Sequence, residues 1–151
     1  MAKFFYKMQD LLNIKLKLEE QKRAAYGAAK RHLDEEEEKF EQLSLRKQMM
    51  QERLTQLMTS HINVMEVKRH REALKIIMMK MDEQKIAVIH ATRQLELARI
   101  TLNEAMKERK THEKLKEKAF EAFKMELLKA EGKEVDELVS FKFSKAKDEE
   151  D

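Results

Sequence analysis

From Leu74 onward, apolar residues recur at alternating steps of three and four: Leu74, Ile77, Met81, Val88, Ala91, Leu95, Ala98, Leu102 and Ala105, with Gln84 as the one polar member. Lys80, Asp82, Glu83, Lys85, Arg93, Glu96, Arg99 and Glu104 occupy much of the remainder. This is a heptad seam, and it predicts a long amphipathic helix that needs a partner helix along its length. A 3.5-residue repeat keeps such a stripe on one side only if the two helices supercoil.

The first half of the chain repeats the pattern less cleanly. Phe4, Met8, Leu11, Leu18, Ala25 and Ala29 share a face, with Lys15 and Lys22 intruding. A slip of phase near Leu33 then leads to Phe40, Leu43, Met50, Leu54 and Leu57, interrupted by Glu36 and Lys47. The lysine stems can lie along the seam with their ammonium groups in water. Thr59-Ser60-His61-Ile62-Asn63-Val64 is a run of β-branched and backbone-competing residues in a chain otherwise rich in helix formers. The reversal belongs there.

The fold class that follows is all-α: two long helices forming an antiparallel coiled-coil hairpin, with a C-terminal helical overhang. Helix 1 is expected over about 3–58, the turn over about 59–65, helix 2 over about 66–130 and a tail over 131–151, in one domain spanning 1–151. The paired part would be a rod about 80–90 Å long. With the turn centred near Ile62, residue i lies opposite roughly 124 minus i, which brings Phe4 and Phe5 near Phe120 and Phe123. Beyond about Lys124 the second helix overhangs the first, and Glu131-Gly132-Lys133 is the expected interruption there. Because the partner helix comes from the same chain, no homo-oligomer is required.

Composition agrees with this picture. Charged residues make up 40% of the chain and aromatics 6%, with no proline and two glycines. Such usage belongs to long helices, not to a compact globule with a thick core. No cysteine is present, so neither a disulfide frame nor a thiolate metal site is available. Apolar runs such as Ile76-Ile77-Met78-Met79 fall far short of the roughly 20 residues of a membrane span, and no signal peptide is read at the N-terminus. The net charge of +3 is spread with both signs mixed, which gives no argument for nucleic acid.

Catalytic constellations are missing, and no cofactor is expected. Gly132-Lys133 has no upstream glycine-rich loop. His32, His61, His70, His90 and His112 lack metal-ligand spacing, and Asp34-Glu35-Glu36-Glu37-Glu38 lacks the alternating ligands of a calcium loop. The acidic run reads as a solvated face or a docking site for a basic partner. Lys68-Arg69-His70-Arg71, beside the turn, reads as an exposed solubilising tip or as a contact for RNA or an acidic lipid surface, although the aromatic stacking groups of single-strand binders are missing. Met49, Met50, Met58, Met65, Met78, Met79 and Met81 crowd the turn-side third, as core filling or as an adaptable protein-binding surface.

Two end motifs point further. Phe4-x-Tyr6-x-Met8-Gln9-x-Leu11-Leu12-x-Ile14-Lys15, followed by Leu18-Glu19-Glu20-Gln21, resembles the N-terminal signature of the FliJ family, soluble stalk-like proteins of the flagellar type III export apparatus. Lys133-Glu134-Val135-Asp136-Glu137-Leu138 is similar to that family's tail motif. The resemblance implies a non-enzymatic coupling rod that inserts the end carrying both termini into the export ATPase hexamer. It also implies contacts with the cytoplasmic part of the export gate and with escort chaperones, in a cytoplasmic protein peripheral on the inner face of the cell membrane. On that reading Phe4, Phe5, Leu127, Leu128, Val135, Leu138 and Phe141 would meet the ATPase. Family members present exposed aromatics toward the gate; the corresponding region here offers Leu43, Met50, Leu74, Met78 and Met81. The competing readings are a coiled-coil holdase chaperone and a parallel scaffold whose helix continues through Ile62.

Overall fold

The structure is a computed structural model that describes residues 2–59 and 61–150. Two α-helices, α1 (Gln9–Thr59) and α2 (Val64–Glu149), account for nearly all of them, and no strand occurs among the described residues. The helices pack against each other as an antiparallel hairpin, which gives the heptad seam its partner helix, and not as a helix continuous through Ile62. Two compact units can be distinguished, Glu20–Glu104 and Met1–Glu19 with Ala105–Asp151.

In the unit Glu20–Glu104, α2 buries Ile77, Met81 and Ala91, with Leu74, Val88, Leu95 and Leu102 half-buried beside them. From α1 come Tyr26, Ala29, Leu33, Glu36, Phe40, Leu43, Lys47, Met50, Leu54 and Leu57, all buried or half-buried. Their spacing alternates three and four without a break. The slip expected near Leu33 is therefore absent, and Glu36 and Lys47 are members of the seam. The same phase extends back through Lys22, Glu19, Lys15 and Leu12, leaving Met8, Leu11 and Ala25 exposed. From Glu36 to Leu57 the seam is the expected one; toward the N-terminus Leu12, Glu19 and Tyr26 hold it in place of Leu11 and Ala25, because Glu19 finds a partner across it.

In the other unit Leu12 and Ala105 are buried, and the α2 seam runs on through Arg109, His112, Lys116, Ala119 and Phe123. Helix α1 starts at Gln9, several residues later than its hydrophobic pattern predicts. Phe4 and Tyr6 are half-buried while Phe5 between them is 82% exposed. That is a period of two, the alternation of an extended segment. The Phe4 ring lies 5.1 Å from Phe120 and 5.5 Å from Phe123, centroid to centroid. An extended path lets Phe4 and Tyr6 face α2 together, whereas residues two apart on a helix point to nearly opposite sides.

At the reversal, Thr59 Oγ1 donates to the Gln56 carbonyl, and His61, Ile62 and Asn63 are non-helical. Ser60, part of the expected turn, lies outside the described residues. Asn63 caps α2: its Oδ1 accepts from the Met65 N–H at 3.1 Å and its carbonyl from Val67. Glu66 completes the Asn-x-x-Glu spacing of a capping box. At its other end α2 passes through Gly132 without interruption and reaches Glu149, so the separate tail segment is part of the same helix. One glycine costs a helix interior about 1 kcal/mol, too little to stop one flanked by lysine, glutamate and leucine.

Candidate partner-binding surfaces

Every described residue from Lys124 to Glu150 is exposed. Of the residues predicted to meet the ATPase, Leu127, Leu128, Val135, Leu138 and Phe141 lie on this stretch, and Phe5 is exposed on the N-terminal segment. Phe4 belongs to the packed aromatic cluster instead, where Lys124 Nζ also sits 4.6 Å from the Phe120 ring centroid. The Tyr6 hydroxyl is buried there and has no hydrogen-bond partner among the described residues. On a helix, Leu128, Val135, Leu138 and Lys142 follow one line. The seam line that ends at Phe123 would instead continue through Glu126, Ala130, Lys133, Glu137 and Ser140. The apolar stripe of the tail is thus turned away from the seam.

Among the five residues predicted to face the gate, Met81 is buried and Leu43, Met50 and Leu74 are half-buried in the seam. Only Met78, at 45%, offers open surface. The exposed apolar residues nearby are Ile76, Met79, Ile86, Leu97 and Ile100 on the outer side of α2. Met79, like Met78, stands off the seam in the sequence; Ile76, Ile86, Leu97 and Ile100 are missed by following the seam alone, although their repeat on the opposite heptad positions is legible.

Two polar layers cross the seam. Gln84 Nε2 donates to the Glu36 carbonyl at 2.8 Å and to the Glu36 carboxylate. That side-chain hydrogen bond, with help from Lys39, holds the Glu36 carboxyl below its ordinary range against the opposing effect of burial. In the other unit Glu19 is buried against Arg109 Nε in an ion pair, and Arg109 Nη1 donates to Glu113 at 2.8 Å. Lys15 Nζ donates to Glu108 at 2.9 Å, and this bond and its charge lower the Glu108 carboxyl. Such layers suit register selection better than catalysis, since each carboxylate is already engaged. No group of side chains able to hold a metal ion occurs among the described residues, and no described helix is long and apolar enough to cross a membrane.

No curated protein matches the chain. A solved structure described as that of a YscO homologue from Chlamydia trachomatis aligns with a TM-score of 0.66 at 20% identity, over 92% of this chain and 94% of that one. The likeness is one of fold. Residues 4–148 match the family described as flagellar FliJ protein, so both end motifs and both helices fall within the match. The chain therefore belongs to the FliJ family, non-enzymatic components of flagellar protein export.

Proposed function

We propose that the chain is the coupling stalk of flagellar export, with its terminal end seated in the export ATPase hexamer. The observation that carries this reading is the unpartnered part of α2, whose apolar Leu128, Val135 and Leu138 are exposed on a face turned away from the seam. A stripe so placed cannot serve a longer α1, and exposed apolar stripes of this kind serve other proteins. Lys133, Asp136, Glu137 and Lys142 beside it would orient the contact more than strengthen it. Gate contact is assigned to the outer side of α2 at Ile76, Met78 and Met79, because Leu43, Met50, Leu74 and Met81 are occupied by the seam. Escort chaperones are the third class of partner, and the protein is held at the inner face of the cell membrane through the export apparatus.

A holdase role for unfolded export substrates is a second reading, favoured by the exposed thioethers of Met49 and Met79. Deleting Glu131–Asp151 separates the two. The hairpin should melt almost unchanged, because no described residue of that stretch is buried, while pull-down of the export ATPase and stimulation of its hydrolysis should be lost. A truncated chain that still binds and stimulates normally places the coupling end elsewhere. One that suppresses substrate aggregation as well as the full chain, without ever having bound the ATPase, supports the holdase.

A further inference from the structure

The turn and the first turns of α2 combine features that neither the seam nor the tail uses. Ile62, Val64 and Met65 are 65%, 62% and 62% exposed. Lys68, Arg69 and Arg71 follow at once and are exposed too. Val64, Lys68 and Arg71 stand at i, i+4 and i+7, and Met65 and Arg69 at i and i+4, so apolar and basic residues share the same sides of α2. Helical side chains lean toward the N-terminus, which here means toward the turn. Lys68 is about 6 Å and Arg71 about 10 Å along the axis from Val64, distances that a long basic stem largely recovers. The result is an apolar point backed by cations at nearly the same level. Of the nearby acids, Glu72 is already turned to Lys75 at 3.7 Å, which leaves Glu66, at the helix cap.

We propose that this turn is a lipid-docking tip, in which Ile62, Val64 and Met65 enter the interfacial layer of an anionic bilayer and Lys68, Arg69 and Arg71 hold its headgroup phosphates. Charge complementarity selects an anionic surface, and the exposed apolar point selects one with an apolar interior. Nucleic acid is disfavoured because residues 59–75 contain no Phe, Tyr or Trp on which a base could stack, His61 and His70 being the rings present there. Contact with lipid here is peripheral, since no described helix can span a membrane. It is independent of the ATPase and gate contacts.

The test is co-sedimentation of the full chain with vesicles of phosphatidylcholine containing phosphatidylglycerol, set against vesicles of phosphatidylcholine alone. Binding is expected to the first and not to the second. Each basic residue near an anionic surface contributes roughly fivefold, so Lys68→Gln, Arg69→Gln and Arg71→Gln together should weaken partitioning about 100-fold. Ile62→Asn with Met65→Asn should also release the protein, with circular dichroism confirming that both variants keep their helices. Deleting Glu131–Asp151 should leave vesicle binding unchanged, which keeps this result separate from the ATPase experiment. Failure of the unmodified chain to bind anionic vesicles overturns the proposal. So does retention of binding by the Ile62 and Met65 variant, which would make the tip a purely electrostatic contact for any acidic surface, with no side chain entering the bilayer.

Discussion

Between Glu20 and Glu104, α2 packs Ile77, Met81 and Ala91 against α1; from Lys124 to Glu149 the same helix keeps comparable apolar residues and packs them against nothing described. Composition hardly distinguishes the two stretches, since both mix leucine, valine and methionine with lysine and glutamate. Phase distinguishes them. In the paired stretch the apolar residues hold the 3.5-residue line, whereas in the tail that line passes through Glu126, Lys133 and Glu137 and the apolar residues sit round the helix from it. A helix can therefore be continuous in backbone and change the side it offers. What is lost at Phe123 is the intramolecular partner, and what is gained is a face available to a different protein.

Proline substitution should break this comparison most sharply. Ala91 is buried inside α2, so Ala91→Pro removes a helical N–H, clashes with the preceding turn and should cost at least about 3 kcal/mol. Loss of much of the helical circular dichroism is expected. Ile62→Pro falls in the non-helical turn and should be tolerated. Equal losses for both would mean that the chain does not reverse there. Leucine truncation gives a smaller contrast. Leu95 is half-buried in the seam, so Leu95→Ala should lower stability by about 2–3 kcal/mol, the lower end for such deletions. Leu138→Ala, on the exposed tail, should stay within about 0.5 kcal/mol. A denaturant midpoint that moves as far for Leu138 as for Leu95 would show that the tail is packed in solution.

The two glycines sharpen the same comparison in the stabilising direction. Both are helical, and a Cβ at either would meet nothing within 4 Å. Gly27→Ala, in a paired stretch, should raise the stability of the hairpin by about 0.5–1 kcal/mol. Gly132→Ala should increase tail helicity while leaving the main melting transition where it is. The smallest effect is that of pH. Glu36 is held below the ordinary carboxylate range chiefly by its hydrogen bond from Gln84, so its contribution is complete above the unfolded value of about 4.3 and is lost as pH falls through the depressed folded value. Thermal stability should be flat near neutrality and decline in acid, and Glu36→Gln should make that decline shallower. A decline of identical steepness in the variant would assign it to other carboxylates, with Glu108, lowered by Lys15, first among them.

Sequence alone determined the helical class, the hairpin, and the α2 seam from Leu74 to Ala105, because heptad spacing is local and apolar at nearly every step. It also determined the register: Phe4 meets Phe120 and Lys15 meets Glu108, close to the pairing of i with roughly 124 minus i that a turn at Ile62 imposes. The Asn63 cap was legible too, in its Asn-x-x-Glu spacing, and was passed over. Only the tertiary structure decided the phase of α1 before Ala29, where Leu12, Glu19 and Tyr26 face the seam and Leu11 and Ala25 do not. Glu19 and Glu36 interrupt a hydrophobic count, yet they hold seam positions because Arg109 and Gln84 arrive from the other helix to satisfy them. The extended path of Phe4–Tyr6 was decided in the same way, by rings on α2 that lie more than a hundred residues along the chain. A local pattern fixes which residues want burial. Whether a polar residue can join them depends on the group that comes to lie opposite, and that group is distant in sequence.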